Sequence, residues 1–269
     1  MKKILLSSVA LLSLVSTLPV NSPVYAQESS SQTTYSTSSG SWIKSGSRWW
    51  YKHSDGSYTT NGWEQINGTW YYFDNEGWMK TGWIKEYGNW YYLDDSGAMK
   101  TGWCRVSGIW YYLNTSGVMQ TGLQTIGGNE YYLNTSGAMQ TGWQNIGDDT
   151  YFFASSGARQ TINRRALVLG ETSTRAVPIE DVNAMEKAFS NQNFSEVVRF
   201  PDKTKAEIIA KMEELFKSSS ESDVNYLYFT CHGGKDGTIA IGSDKTSFSG
   251  WELASILKQY KGKFVVMLD

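Results

Sequence analysis

The sequence predicts a β-hairpin solenoid followed by an α/β three-layer domain. Two observations predict it. A block of about 20 residues recurs from Gly62 to Thr161, and beyond Ile162 apolar runs of strand length alternate with helical patterns. A unit as short as the repeat cannot bury a core alone, so its copies must stack on one another.

The clearest copy is GWIKEYGNWYYLDDSGAMKT, starting at Gly82. Its relatives start at Gly62, Gly102, Gly122 and Gly142, and a rougher copy near Trp42 carries one extra residue before Gly62. WIKEY alternates apolar and polar residues, Gly88-Asn89 reads as a turn, and WYYLD alternates again, so each unit is expected to be a hairpin. A second turn, DSG, precedes a Met or a small residue and then Thr-Gly.

Aromatic residues carry the chemistry. Eleven of the twelve Trp lie between Trp42 and Trp143, and two of them recur seven apart: Trp63 with Trp70, Trp83 with Trp90, Trp103 with Trp110. Two roles are open to such rings in a thin rod: packing hairpin on hairpin, or lining a gap between hairpins. Rings set face-on around a gap suit a quaternary ammonium. That cation offers no N–H to a carboxylate, so π faces and methyl packing must hold it.

The segments GW…WYYLDDSGAMKT and GW…WYYLNTSGVMQT resemble the choline-binding repeats of Gram-positive surface proteins and autolysins over residues 42–161. The resemblance implies cages for choline, built from two Trp of one repeat and an aromatic residue of the next, with Met closing them. On this chain the cages fall at Trp63 and Trp70, Trp83 and Trp90, and Trp103 and Trp110. Tyr91, Tyr111 or Tyr131, or a neighbouring Tyr, comes from the next repeat, and Met99, Met119 and Met139 stand at the Met position. The implied partner is phosphocholine on teichoic or lipoteichoic acid. Leu123 and Glu130 replace both Trp of one unit, and Thr150 and Arg159 depart in the next, so these units are expected to keep the fold and lose the cage. Glucan-binding repeats have a similar period and are the rival reading, along with a wall-lytic protein.

The N-terminus points to the compartment. Lys2 and Lys3 precede an apolar run from Ile4 to Val20, and Val24-Tyr25-Ala26 offers a cleavage site, so residues 1–26 read as a secretory signal peptide. Residues 27–41 are Ser/Thr-rich and read as a linker. No later run is apolar enough to span a bilayer. The expected location is therefore secreted and held non-covalently on the Gram-positive cell wall by the repeats. The net charge of −2 comes with no basic patch, so no nucleic-acid partner is expected. Cys104 and Cys231 fall in different regions and predict no disulfide framework. No metal and no cofactor is implied.

Residues 162–269 have a different grammar. ALVLGE reads as a buried strand, Pro178 opens a helix with Val182, Met185 and Phe189 on one side, and EVVRF is a short strand. Thr204 and Glu207 have the spacing of a capping box before a helix carrying Ile208, Ile209, Met212, Leu215 and Phe216. VNYLYFT is a strand ending in Cys231-His232-Gly233-Gly234. A hairpin from Ile239 to Phe248, a helix capped by Ser249 and Glu252, and KFVVMLD as another buried strand complete the series. Strands alternating with helices predict a mostly parallel sheet covered on both faces. Such sheets place ligands at the C-terminal ends of their strands. His232 stands there, and the Gly233 N–H could face an oxyanion; the bland alternative is a His that ends a strand and caps a turn.

This order of elements resembles the caspase-like cysteine peptidases, the clostripain and caspase group, over residues 163–269. The resemblance implies a protein or peptide substrate, His232 as a catalytic residue and Gly233 as an oxyanion donor. It also implies a nucleophilic Cys after an apolar run and an Asp. Here the run is FVVML and the Asp is Asp269, so the domain is expected to be partial and the nucleophile to lie beyond the last residue. Cys231 does not replace it: successive residues of a strand point to opposite faces, which sets it apart from His232. Residues 1–269 alone are expected not to cleave peptides.

Overall fold

The structure is a computed structural model that describes residues 39–170, 179–231, 238–241 and 246–269. The signal peptide, most of the linker, Pro178, His232 and Gly233 lie outside the described residues.

Six antiparallel hairpins form the first part. They are β1 (Gly40–Ser45) with β2 (Arg48–His53), β3 (Gly62–Ile66) with β4 (Thr69–Phe73), β5 (Gly82–Glu86) with β6 (Asn89–Leu93), β7 (Gly102–Val106) with β8 (Ile109–Leu113), β9 (Gly122–Ile126) with β10 (Asn129–Leu133), and β11 (Gly142–Ile146) with β12 (Asp149–Phe153). The short strand β13 (Arg159–Gln160) adds to β12.

The hairpin turn differs from the sequence expectation by one residue. It is Tyr87-Gly88, with φ of 45° and 85°, and Asn89 already pairs with Glu86. A two-residue turn that matches strand twist has positive φ at both central positions, and glycine best fills one of them. Asn67-Gly68, Ser107-Gly108 and Gly127-Gly128 take the same form. This register explains the spacing of seven. Trp83 faces Tyr92 and Lys85 faces Trp90, so Trp83 and Trp90 are diagonal neighbours on one face of the hairpin. Tyr91 and Leu93 point to the other face, and Leu93, Leu113 and Leu133 are fully buried there.

The second turn is closed by its first side chain. Asp94 Oδ1 accepts from the N–H groups of Ser96 and Ala98 at 2.9 and 3.2 Å, and Asn114 and Asn134 repeat the pattern. The chain then returns to place Met99 opposite Leu93. From there the Met99 N–H donates to the Trp70 carbonyl of the preceding hairpin at 2.9 Å, and Met119 and Met139 bond Trp90 and Trp110 in the same way. In the next unit the Met99 sulfur lies where a Cβ on Gly117 would come within 2.4 Å, so only glycine fits beneath it. Each unit is thus bonded to the one before and seated on the one after.

The second part is a four-stranded parallel sheet in the order β15-β14-β16-β19, from β14 (Arg164–Gly170), β15 (Glu196–Arg199), β16 (Val224–Thr230) and β19 (Lys263–Leu268). Helix α1 (Ile179–Ser190) packs Val182 and Phe189 on Ala166, Val168 and Tyr228. On the opposite face α2 (Lys205–Phe216) and α3 (Gly250–Leu257) bury Ile208, Met212, Phe216, Leu253 and Leu257 against Leu167, Leu169, Leu227 and Phe229. The result is the expected α/β three-layer arrangement. The Thr204–Glu207 capping box is present, Ser249 caps α3, and β17 (Ile239–Ile241) pairs with β18 (Thr246–Phe248). KFVVMLD departs from the buried strand expected of it. Among the described residues β19 pairs only with β16, and Val265, Val266 and Leu268 are exposed.

Candidate functional site

Between successive hairpins the Trp-bearing face of one meets the Tyr-bearing face of the next. Trp103 and Tyr131 lie 4.8 Å apart at 66°, and Trp110 stands edge-on to Trp103 at 6.5 Å. These three rings, with Met139 and Ser156, line a cavity of about 230 Å³. One unit earlier Trp83 contacts Tyr111 at 4.8 Å and Trp90 at 6.4 Å. One unit before that Trp63 contacts Tyr91 at 4.9 Å, with Trp70 on the same face. Met119 and Met99 take the place of Met139 in these two units through their bonds to the Trp90 and Trp70 carbonyls. Tyr91, Tyr111 and Tyr131 contact the Trp of the preceding hairpin, whereas Tyr92 and Tyr112 lie beside the Trp of their own.

The paired Trp divide the work. The second of each pair, Trp70, Trp90 and Trp110, keeps 36 to 41% of its surface exposed, and at Trp90 the Lys85 ammonium lies 5.7 Å from the ring centre. Burial pushes the Tyr91 hydroxyl above the usual tyrosine range.

A fourth grouping was not expected from sequence. Trp42 contacts Tyr71 at 4.8 Å and 63°, the Met79 N–H donates to the Trp49 carbonyl at 2.7 Å, and the Met79 sulfur sits over Gly97. Trp42 and Trp49 also stand seven apart, which was the available signal; the extra residue before Gly62 obscured the Tyr that completes it.

The degenerate unit behaves differently. Leu123, Glu130, Tyr151 and Arg159 stand where Trp103, Trp110, Tyr131 and Met139 stand one unit earlier. The Arg159 guanidinium lies 4.6 Å from the Tyr151 ring centre and pairs with Glu130. This position holds a cation of its own.

In the parallel sheet, β16 ends at Thr230, immediately before Cys231 and the His232-Gly233 pair. Cys231 packs against the cluster formed with α2 and α3, and burial pushes its thiol above the usual range. A thiol needs the opposite shift to act as a nucleophile at neutral pH. Among the described residues no cluster of three or more His, Cys, Asp or Glu side chains could hold a metal ion, and no helix is long and apolar enough to cross a membrane.

Comparison with known proteins matches residues 59–102, 100–139 and 120–163 to the choline-binding repeat family and residues 163–269 to the caspase domain. No curated protein matches the chain. Among solved structures, CbpJ from Streptococcus pneumoniae TIGR4 is 42% identical with a TM-score of 0.44, covering 46% of this chain and 43% of that one. Choline binding protein F from Streptococcus pneumoniae is 42% identical with a TM-score of 0.44, covering 46% and 43%. The cell wall endolysin of phage Cp-1, complexed with choline, is 39% identical with a TM-score of 0.36, covering 46% and 38%. The chain thus spans less than half the length of these solved proteins. It joins N-terminal repeats that match the choline-binding repeat family to a C-terminal segment that matches the caspase domain.

Proposed function

We propose that this protein attaches to choline-bearing teichoic or lipoteichoic acid on a Gram-positive cell wall, through aromatic cages in residues 42–161. Trp63, Trp70, Tyr91 and Met99 form one cage; Trp83, Trp90, Tyr111 and Met119 a second; Trp103, Trp110, Tyr131 and Met139 a third. Trp42, Trp49, Tyr71 and Met79 form a fourth.

One contrast carries the reading. The cavity at Trp103 is lined by three rings, a thioether and a hydroxyl, with no carboxylate. At the degenerate position, where the cation is a guanidinium with N–H groups, Glu130 supplies the carboxylate. A site with rings and no carboxylate suits a cation with no N–H to donate.

Residues 162–269 are proposed to be a caspase-like region directed at a protein or peptide substrate. His232 would serve as the base and Gly233 as an oxyanion donor. The end of β16 at the C-terminal edge of the parallel sheet supports this, because such sheets bind ligands there. The half-buried setting of Cys231, which raises its thiol pKa, argues against it as the nucleophile.

The chain should be retained on a choline or tertiary-amine resin and released by free choline on the order of millimolar, as expected for a few ring contacts of about 0.5–2 kcal/mol each. Retention on dextran that choline does not displace would favour the glucan reading instead.

A further inference from the structure

Trp143 belongs to the last hairpin and stands outside the cages. Its partner position is Thr150, and the chain runs on into β13 and β14 instead of presenting another Tyr-bearing hairpin. The parallel sheet supplies what meets Trp143. The Lys263 ammonium, at the start of β19, lies 4.3 Å from the Trp143 ring centre. Phe152 backs the same indole edge-on at 5.2 Å.

Lys263 is held there by the corner that receives the chain from the last hairpin. Its N–H donates to the Asp223 carbonyl at 2.8 Å, and the Asp223 carboxylate accepts from the Asn163 side chain at 3.1 Å. The Asn163 carbonyl in turn accepts from the Val224 N–H at 2.9 Å. Two other protein cations lie within 4.6 Å of a ring centre outside the cages, Arg159 over Tyr151 and Arg48 over Trp78; Lys203, Lys205 and Lys211 stand farther off over phenyl rings, at 5.0 to 5.5 Å. Each of the two Arg also pairs with a carboxylate, Glu130 or Glu76. Among the described residues Lys263 makes no ion pair, which leaves the indole as its electrostatic partner.

We infer that Trp143 is the docking face for the parallel sheet on the last hairpin, with the Lys263 ammonium taking the place of a ligand cation. The contact fixes the orientation of the sheet relative to the hairpin stack. It also withdraws Trp143 from choline binding.

Amide hydrogen exchange on the full chain tests this. Lys263→Gln and Trp143→Ala should each speed exchange across residues 160–164 roughly 2- to 30-fold, the range that one cation–π contact sustains. The double variant should add nothing further, and Lys263→Arg should retain protection. Peptides from β8 and from the centre of β16, and retention on choline resin, should be unchanged. If Lys263→Gln unfolds the sheet, which loss of β16 protection would reveal, Trp143→Ala decides, because its side chain belongs to the hairpins. Unchanged exchange at 160–164 in Trp143→Ala would overturn the inference. So would a fall in its choline retention matching that of a cage variant.

Discussion

At position 130 the repeat exchanges Trp for Glu, and at position 159 Met for Arg. The two new side chains pair with each other while the guanidinium lies over Tyr151. One ring of the cage survives and a protein cation occupies it, so the loss of a ligand site costs the rod no exposed cavity. Intact cages should be separable from such faces by mutation. Trp83→Ala with Trp90→Ala should weaken choline retention far more than Trp143→Ala, because the pair removes two ring contacts of about 0.5–2 kcal/mol each from one site. Frontal chromatography on choline resin, with the fold checked by circular dichroism, measures the difference. Equal losses would make the paired Trp packing residues only. The grouping of the paired Trp on one face was legible because a two-residue turn converts a spacing of seven into a diagonal contact. Trp42, Trp49, Tyr71 and Met79 were not, since a single inserted residue breaks the period there without breaking the geometry. Arg159 was legible as a departure, but its pairing with Glu130 spans two units and has no local pattern.

A hairpin in this rod is held by its turns as much as by its ladder. Tyr87 adopts φ of 45° in the left-handed region that side chains disfavour, and the register depends on it. Sequence placed the turn one residue late because Gly-Asn and Tyr-Gly are both plausible turn pairs, and only the paired strands choose between them. The apolar run of β19 misled in a comparable way. Apolarity signals a strand, but how many neighbours it has is a property of the sheet. The Met–Gly seat yields the sharpest test at this scale. Gly117→Ala adds a Cβ at φ 80° and within 2.4 Å of the Met99 sulfur. The left-handed conformation alone costs an alanine about 1–2 kcal/mol. The variant should lower the thermal midpoint of the rod and weaken retention through the displaced Met99 of the Trp63 cage. An unchanged melting curve would show that the seat does not lock the units.

The whole molecule turns on the corner where hairpins give way to the parallel sheet. Asp223 is buried there, and Arg165 reaches it at 2.8 Å. Burial by itself raises the pKa of this carboxyl. Hydrogen bonds from the Ser220 N–H, Arg165, the Ser220 hydroxyl and Asn163 outweigh that and hold it below the usual carboxylate range. A depressed folded pKa stabilises above the unfolded value of about 3.9 and is lost as pH falls through the folded value. The parallel-sheet region should therefore weaken below about pH 4. Asp223→Asn, which strands the Arg165 charge, should cost about 3–5 kcal/mol at pH 7 and less at pH 3. Urea denaturation at the two pH values, followed through exchange in β16, checks this; a cost independent of pH would exclude the ion pair as its source. The three-layer arrangement was legible from alternating apolar strands and capped helices. The Asn163–Asp223–Lys263 corner was not, because its members lie up to 100 residues apart (263 − 163) and only the fold brings them together.

Each of the proposed cages is split across a seam, with two Trp on one side and a Tyr and Met on the other. The halves are interchangeable because the units are nearly alike. Excision of residues 82–101 would bring Trp63 and Trp70 to Tyr111 and Met119, so the seam would heal with a complete site. Unequal recombination between such units can therefore shorten or lengthen the rod in whole sites without passing through a damaged one. Valency, and with it the grip on a polymer bearing many headgroups, becomes a trait that copy number sets and point mutation refines.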